Sequence, residues 1–103
     1  MLRAMTVLGF AFVTAAATAA EYDVVQENKS FSRSTLNVKV GDTVHFPNQD
    51  TTHHNVFSLS EAATFDLGSY GNGESKSYTF EEPGEVEVEC AIHPGMRMTV
   101  VVE

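Results

Sequence analysis

The sequence has one cysteine, Cys90, and is short of basic residues, with six Lys and Arg against fourteen Asp and Glu. A single thiol closes no internal disulfide, and it cannot supply the four cysteines, or two with two histidines, that iron–sulfur clusters require. A formal charge of −8 argues against a nucleic-acid surface, because phosphate demands clustered Lys and Arg. The apolar run from Ala4 to about Ala17 is shorter than the roughly 20 residues that span a bilayer. Beyond it no long window keeps a 3.6-residue apolar period with caps, so little helix is expected, at most one turn over Ser60–Phe65. No Ser/His/Asp set, phosphate loop or dinuclear-copper C-x-x-x-C motif is present, which leaves hydrolysis and oxidase chemistry without residues and argues against an enzyme.

The first twenty residues read as a targeting segment. Arg3 gives a positive start, the apolar stretch follows, and Ala17-Thr18-Ala19-Ala20 is a small-residue site for signal peptidase. Residues 1–20 are therefore expected to be a cleaved signal peptide, with residues 21–103 as one exported domain, periplasmic or secreted, and no membrane anchor in the mature form. Loss of Arg3 leaves Lys29, Arg33, Lys39, Lys76 and Arg97 as the only cations, so the mature product is still more acidic. That balance suits a basic protein partner or simple solubility. In an oxidising compartment a free thiol is a liability unless buried or ligated.

Period-two alternation dominates the mature chain. Leu36, Val38 and Val40, then a Gly41-Asp42 turn signal, then Val44 and Phe46, read as two antiparallel strands. Tyr22–Gln26, Tyr78 with Phe80, Val86 with Val88, and Thr99–Val102 are further strands, the last suited to a central position, while Gly68–Gly73 reads as a loop. Short strands with frequent turns predict an all-β sandwich or barrel of about seven or eight strands. By parity Val86, Val88 and Cys90 point inward and Glu85, Glu87 and Glu89 outward.

Cys90 thus ends a strand on its inner face, with His93 and Met96 in the turn that leaves it. Upstream, "TTHHNVF" (51–57) is a loop that antiparallel strands can bring to the same end, setting His53 or His54 beside Cys90 and His93. Two imidazoles, one thiolate and a weak thioether are the donor set of a blue-copper electron-transfer site. Structural zinc prefers paired cysteines, which the chain lacks. A lone buried cysteine acting as a small hydrophobe is the bland alternative.

"HHNVF", "FEEPGEVEVEC" and "CAIHPGMRMTVVVE" resemble the cupredoxins, small type 1 blue-copper proteins, in their plastocyanin, amicyanin and pseudoazurin branch. The resemblance runs from "LNVKVGDTVHF" to the C-terminus and implies a Greek-key β-sandwich that cycles one copper ion between Cu(II) and Cu(I). It implies His54, followed by Asn55, as first ligand, with Cys90 and His93 as the next two. Met96 is the expected axial ligand and Met98 the alternative; His53 and His45 are expected to face outward. Asn55 would hold the two ligand loops together. Proline usually precedes the second histidine in this branch; here it is Ile92, whose amide could donate to the Cys90 sulfur and lower the reduction potential. An apolar patch of Pro94, Gly95 and Pro47 would surround His93. The implied partners of this monomer are redox proteins, such as a c-type cytochrome or a periplasmic dehydrogenase or reductase. The other readings are a periplasmic copper-binding or delivery protein without an electron-transfer role, a copper enzyme with an open position, and a metal-free interaction sandwich.

Overall fold

The computed structural model describes residues 18–103; residues 1–17, which carry most of the expected signal peptide, lie outside the described residues. The first five strands are β1 (Glu21–Asp23), β2 (Gln26–Glu27), β3 (Ser30–Phe31), β4 (Thr35–Val38) and β5 (Thr43–Pro47). The other five are β6 (His54–Ser60), β7 (Ala63–Tyr70), β8 (Ser75–Thr79), β9 (Gly84–Cys90) and β10 (Arg97–Val102). One sheet has the order β1-β5-β8, the other β4-β10-β9-β6-β7, and β2 with β3 forms a separate hairpin. No helix occurs among the described residues.

The alternating residues meet between the sheets. Val44 and Phe46 of β5 share one buried cluster with Leu36 and Val38 of β4, Val86 and Val88 of β9, and Met98, Val100 and Val102 of β10. Burying each such side chain fully is worth about 1.5–3 kcal/mol relative to exposure, so this shared interior holds the two sheets together. β10 lies inside its sheet, parallel to β4 and antiparallel to β9, as its β-branched run predicts. Parity also holds in β9, where Val86, Val88 and Cys90 are buried.

Three local expectations change. β4 and β5 are not a hairpin: they belong to different sheets, and the chain crosses between the layers over 39–42. The corner is tied to both, since Val40 N–H donates to Glu103 O at 3.1 Å and Gly41 N–H to Phe80 O at 2.7 Å. Val40 consequently leaves the inward alternation and is exposed. The expected helical turn over Ser60–Phe65 is instead the tight β6–β7 connection, with Ser60 paired to Ala63. Gly68–Tyr70 of the expected loop belongs to β7, whose register against β6 shifts between Asn55 and Phe57. Irregularities of this kind recur beside functional sites, where they re-aim side chains.

Candidate metal centre

β6 runs antiparallel to both β7 and β9, so the start of β6 and the end of β9 fall at one end of the sandwich. Val56 pairs with Cys90. One residue earlier, Asn55 N–H donates to Cys90 Sγ at 3.4 Å, and Ala91 N–H returns a bond to Asn55 O at 3.0 Å. The loop leaving Cys90 turns back tightly, with Met96 N–H on His93 O and Cys90 N–H on Met96 O, both at 3.1 Å. Gly95, at φ 96°, permits this turn, since a side chain there would be strained.

These constraints bring three donor atoms together. His54 Nδ1 stands 3.1 Å from His93 Nδ1 and 3.5 Å from Cys90 Sγ, and His93 Nδ1 is 3.7 Å from the same sulfur. Among the described residues His54, Cys90 and His93 are the one group of this kind able to hold a metal ion. Bonds of about 2.0–2.3 Å from three such donors to one centre produce separations of this size. Two imidazole nitrogens and a sulfur facing one point repel unless a cation or proton lies between them, so the donor set itself fits a metal.

His54 is completely buried and Cys90 nearly so, whereas His93 is half-buried. His53 is turned outward, its ring over Gly71, where an added β-carbon would stand 3.0 Å from Nε2. Of the adjacent histidines, His54 alone joins the cluster. His45 takes the outer side of β5 and pairs with Glu21 at 2.9 Å. Met96 and Met98 are both buried, but only Met98 belongs to the hydrophobic core cluster. Arg97 pairs with Glu89, which sets Met96 opposite Cys90 one step further along, while Met98 pairs with Val88.

One expectation about the surroundings, that for Ile92, is corrected. Among the described residues the backbone donor on the Cys90 sulfur is Asn55, and no hydrogen bond runs there from Ile92. The turn directs the Ile92 side chain to solvent, 48% exposed, beside exposed Ala91, Pro94 and Gly95. Asn55 joins the His54 and Cys90 loops as expected, through its backbone, while its side-chain Nδ2 donates to Asp66 Oδ1 at 2.7 Å, across to β7.

Sequence reasoning missed Asp50. Its Oδ2 accepts from His54 Nε2 at 3.0 Å on the far side of the ring from the donor cluster. The Lys29 N–H first, then His54, hold the Asp50 carboxyl down to about 2. The i, i+4 spacing of Asp50 and His54 was a visible signal, but in a loop that spacing carries no fixed geometry. Tyr70 was missed too: it pairs with His54 across β6 and β7, donates its hydroxyl to Phe46 O at 2.6 Å, and is pushed up to about 12 by burial.

Comparison with known proteins finds similarity to copper-binding proteins. Residues 18–103 match the family described as copper binding proteins, plastocyanin/azurin family. The methylamine utilization protein MauL of Methylorubrum extorquens is 33% identical over 102 residues, covering 95% of this chain and 90% of that protein. Amicyanin of Paracoccus denitrificans is 44% identical over 73 residues, covering 66% of this chain and 54% of that protein's length. Among solved structures, a methionine-to-alanine variant of amicyanin in the Cu(I) state superposes with a TM-score of 0.74 at 31% identity, covering 81% of this chain and 82% of the other.

Proposed function

The chain belongs to the plastocyanin/azurin family of copper-binding proteins, and from that premise we propose that it is an exported type 1 copper protein that carries single electrons between redox partners. The observation that carries this reading is the convergence of His54 Nδ1, His93 Nδ1 and Cys90 Sγ at one end of the sandwich. His54 and His93 would supply neutral imidazole nitrogens, Cys90 a thiolate, and Met96, opposite Cys90, the weak axial thioether. Copper bound there supplies a one-electron Cu(II)/Cu(I) couple.

The protein's part is to keep those donors still. Two of the ligands sit on strand ends, Cys90 is tied to Asn55 and Met96 by backbone bonds, and His54 is clamped between the cluster and Asp50. A frame fixed in this way resists the change in ligand geometry that each electron would otherwise drive. His93, the half-buried ligand, gives the shortest route to the surface, and exposed Ile92 and Pro94 offer an apolar contact beside it.

The redox partners proposed are proteins, a c-type cytochrome or a periplasmic dehydrogenase or reductase. A relative named for methylamine utilization makes an amine-oxidising dehydrogenase the first donor to test. Voltammetry of the copper-loaded mature protein tests the carrier role: a reversible one-electron couple is expected. Tight Cu(I) binding with no reversible couple would instead favour copper delivery.

A further inference from the structure

Asp50 carries more polar contacts than a loop residue requires, and they converge on one ligand. Its Oδ2 accepts from Lys29 N–H at 2.7 Å and from His54 Nε2 at 3.0 Å, and its Oδ1 from Thr51 N–H at 2.8 Å. Its own N–H donates to Asn48 Oδ1 at 2.8 Å, and its carbonyl accepts from Asn72 Nδ2 at 3.0 Å. Asn48, completely buried, is anchored in turn to Thr52 O and Tyr70 O. Lys29 reaches Asp50 from the two-residue β2–β3 hairpin turn, in which Asn28 and Lys29 both take a left-handed backbone, φ 52° and 55°. Two segments of chain, the β2–β3 turn and residues 51–54, therefore hold this carboxylate, and Asn72 from a third holds its backbone.

We infer that Asp50 is the positioning residue of the copper site: its carboxylate holds the proton on His54 Nε2, leaves Nδ1 as the metal donor, and stabilises Cu(II) over Cu(I). The reason is directional. An ionised carboxylate only accepts, so the hydrogen of the 3.0 Å contact belongs to His54 Nε2 and the lone pair to Nδ1, the atom that faces Cys90 and His93. A negative charge one ring away also makes the imidazole a stronger donor, and the more highly charged metal state gains more from it. The inference rests on the copper reading of the site and adds to it a residue outside the ligand set.

The test replaces the charge while keeping the shape. In Asp50→Asn, copper(II) affinity should fall about 10- to 100-fold and the reduction potential should rise, while copper(I) affinity changes less. Asp50→Glu should restore part of both. Asp50→Asn and Asp50→Ala proteins that fold and keep the parent's potential and copper(II) affinity would overturn the inference, even if their thermal stability falls. Nitrogen-15 NMR of the unsubstituted, metal-free protein asks the same question without any variant. A slowly exchanging proton on His54 Nε2 supports the role, and a proton on Nδ1 with a bare Nε2 overturns it. A parent that takes up no copper overturns the carrier function and this inference with it. A blue parent with an indifferent Asp50→Asn variant overturns the inference alone.

Discussion

Met96 and Met98 are two residues apart on the same side of the chain, and both are buried, yet their surroundings differ. Met98 sits in the hydrophobic core cluster opposite Val88, so Met98→Ala should cost about 2–5 kcal/mol in denaturant unfolding. Met96 lies beyond Arg97, opposite Cys90 and outside that cluster. Met96→Leu should therefore keep most of the stability while changing the visible spectrum and potential of the copper-loaded protein. The reverse pattern would make Met98 the axial ligand. Ile92→Pro should leave the potential near that of the parent, because no hydrogen bond from Ile92 to the sulfur exists to be lost; voltammetry reads this directly. The meeting of Cys90 and His93 with one histidine of the 53/54 pair was legible because donor chemistry and strand parity are local properties of the chain, and the choice of His54 came with the cupredoxin resemblance. Asp50 and the Asn55 amide were not: the contacts of Asp50 depend on where the 48–52 loop and the β2–β3 turn come to rest, and the Asn55 bond on the register of β6 against β9.

Among the elements, the crossover between β4 and β5 shows how the fold departs from its local signals. Gly41-Asp42 specifies a turn, but whether the next strand pairs in the same sheet or in the other is decided 20 residues away or more. Asp42 makes that decision visible: its carboxylate accepts from Lys39 N–H and from Ala20 N–H, both at 2.8 Å, pinning the corner to the start of β1. These bonds, the one from Lys39 first, hold the Asp42 carboxyl below its ordinary value of 3.8. A carboxyl depressed on folding adds stability that is complete above 3.8 and is lost as pH falls through the lower folded value. Acid unfolding followed by circular dichroism should accordingly be shallower below pH 3.8 in Asp42→Asn than in the parent, with lower stability at neutral pH. Identical acid curves would show that the corner is held by its backbone bonds alone. The β6–β7 connection teaches the same lesson from the other side. Ser60–Phe65 has residues that tolerate a helical turn, but pairing of Ser60 with Ala63 and Leu59 with Thr64 outweighs that weak local preference.

At the scale of the whole molecule, charge and the ligand cluster act together. Glu85, Glu87 and Glu89 line the outer side of β9, which ends at Cys90, so the acidic surface runs toward the end of the sandwich that bears His93. Electron transfer to a basic redox protein should slow as ionic strength rises, because screening removes the attraction beyond about 10 Å at 0.1 M salt. Stopped-flow rates that are indifferent to salt would assign these glutamates to solubility alone. The all-β class and the gathering of His, Cys and His at one end of the fold followed from period-two alternation and the spacing of those residues, while the choice of sandwich over barrel came with the cupredoxin resemblance. The division into sheets did not, because long-range pairing has no signature in a single strand.

The central claim, that His54, Cys90 and His93 hold one copper ion, is tested most directly by the visible absorption of the mature protein after addition of Cu(II). An intense thiolate-to-copper band is predicted, lost in Cys90→Ser and in His54→Ala and retained in His53→Ala. A colourless parent, or a band that survives loss of Cys90, would contradict the account.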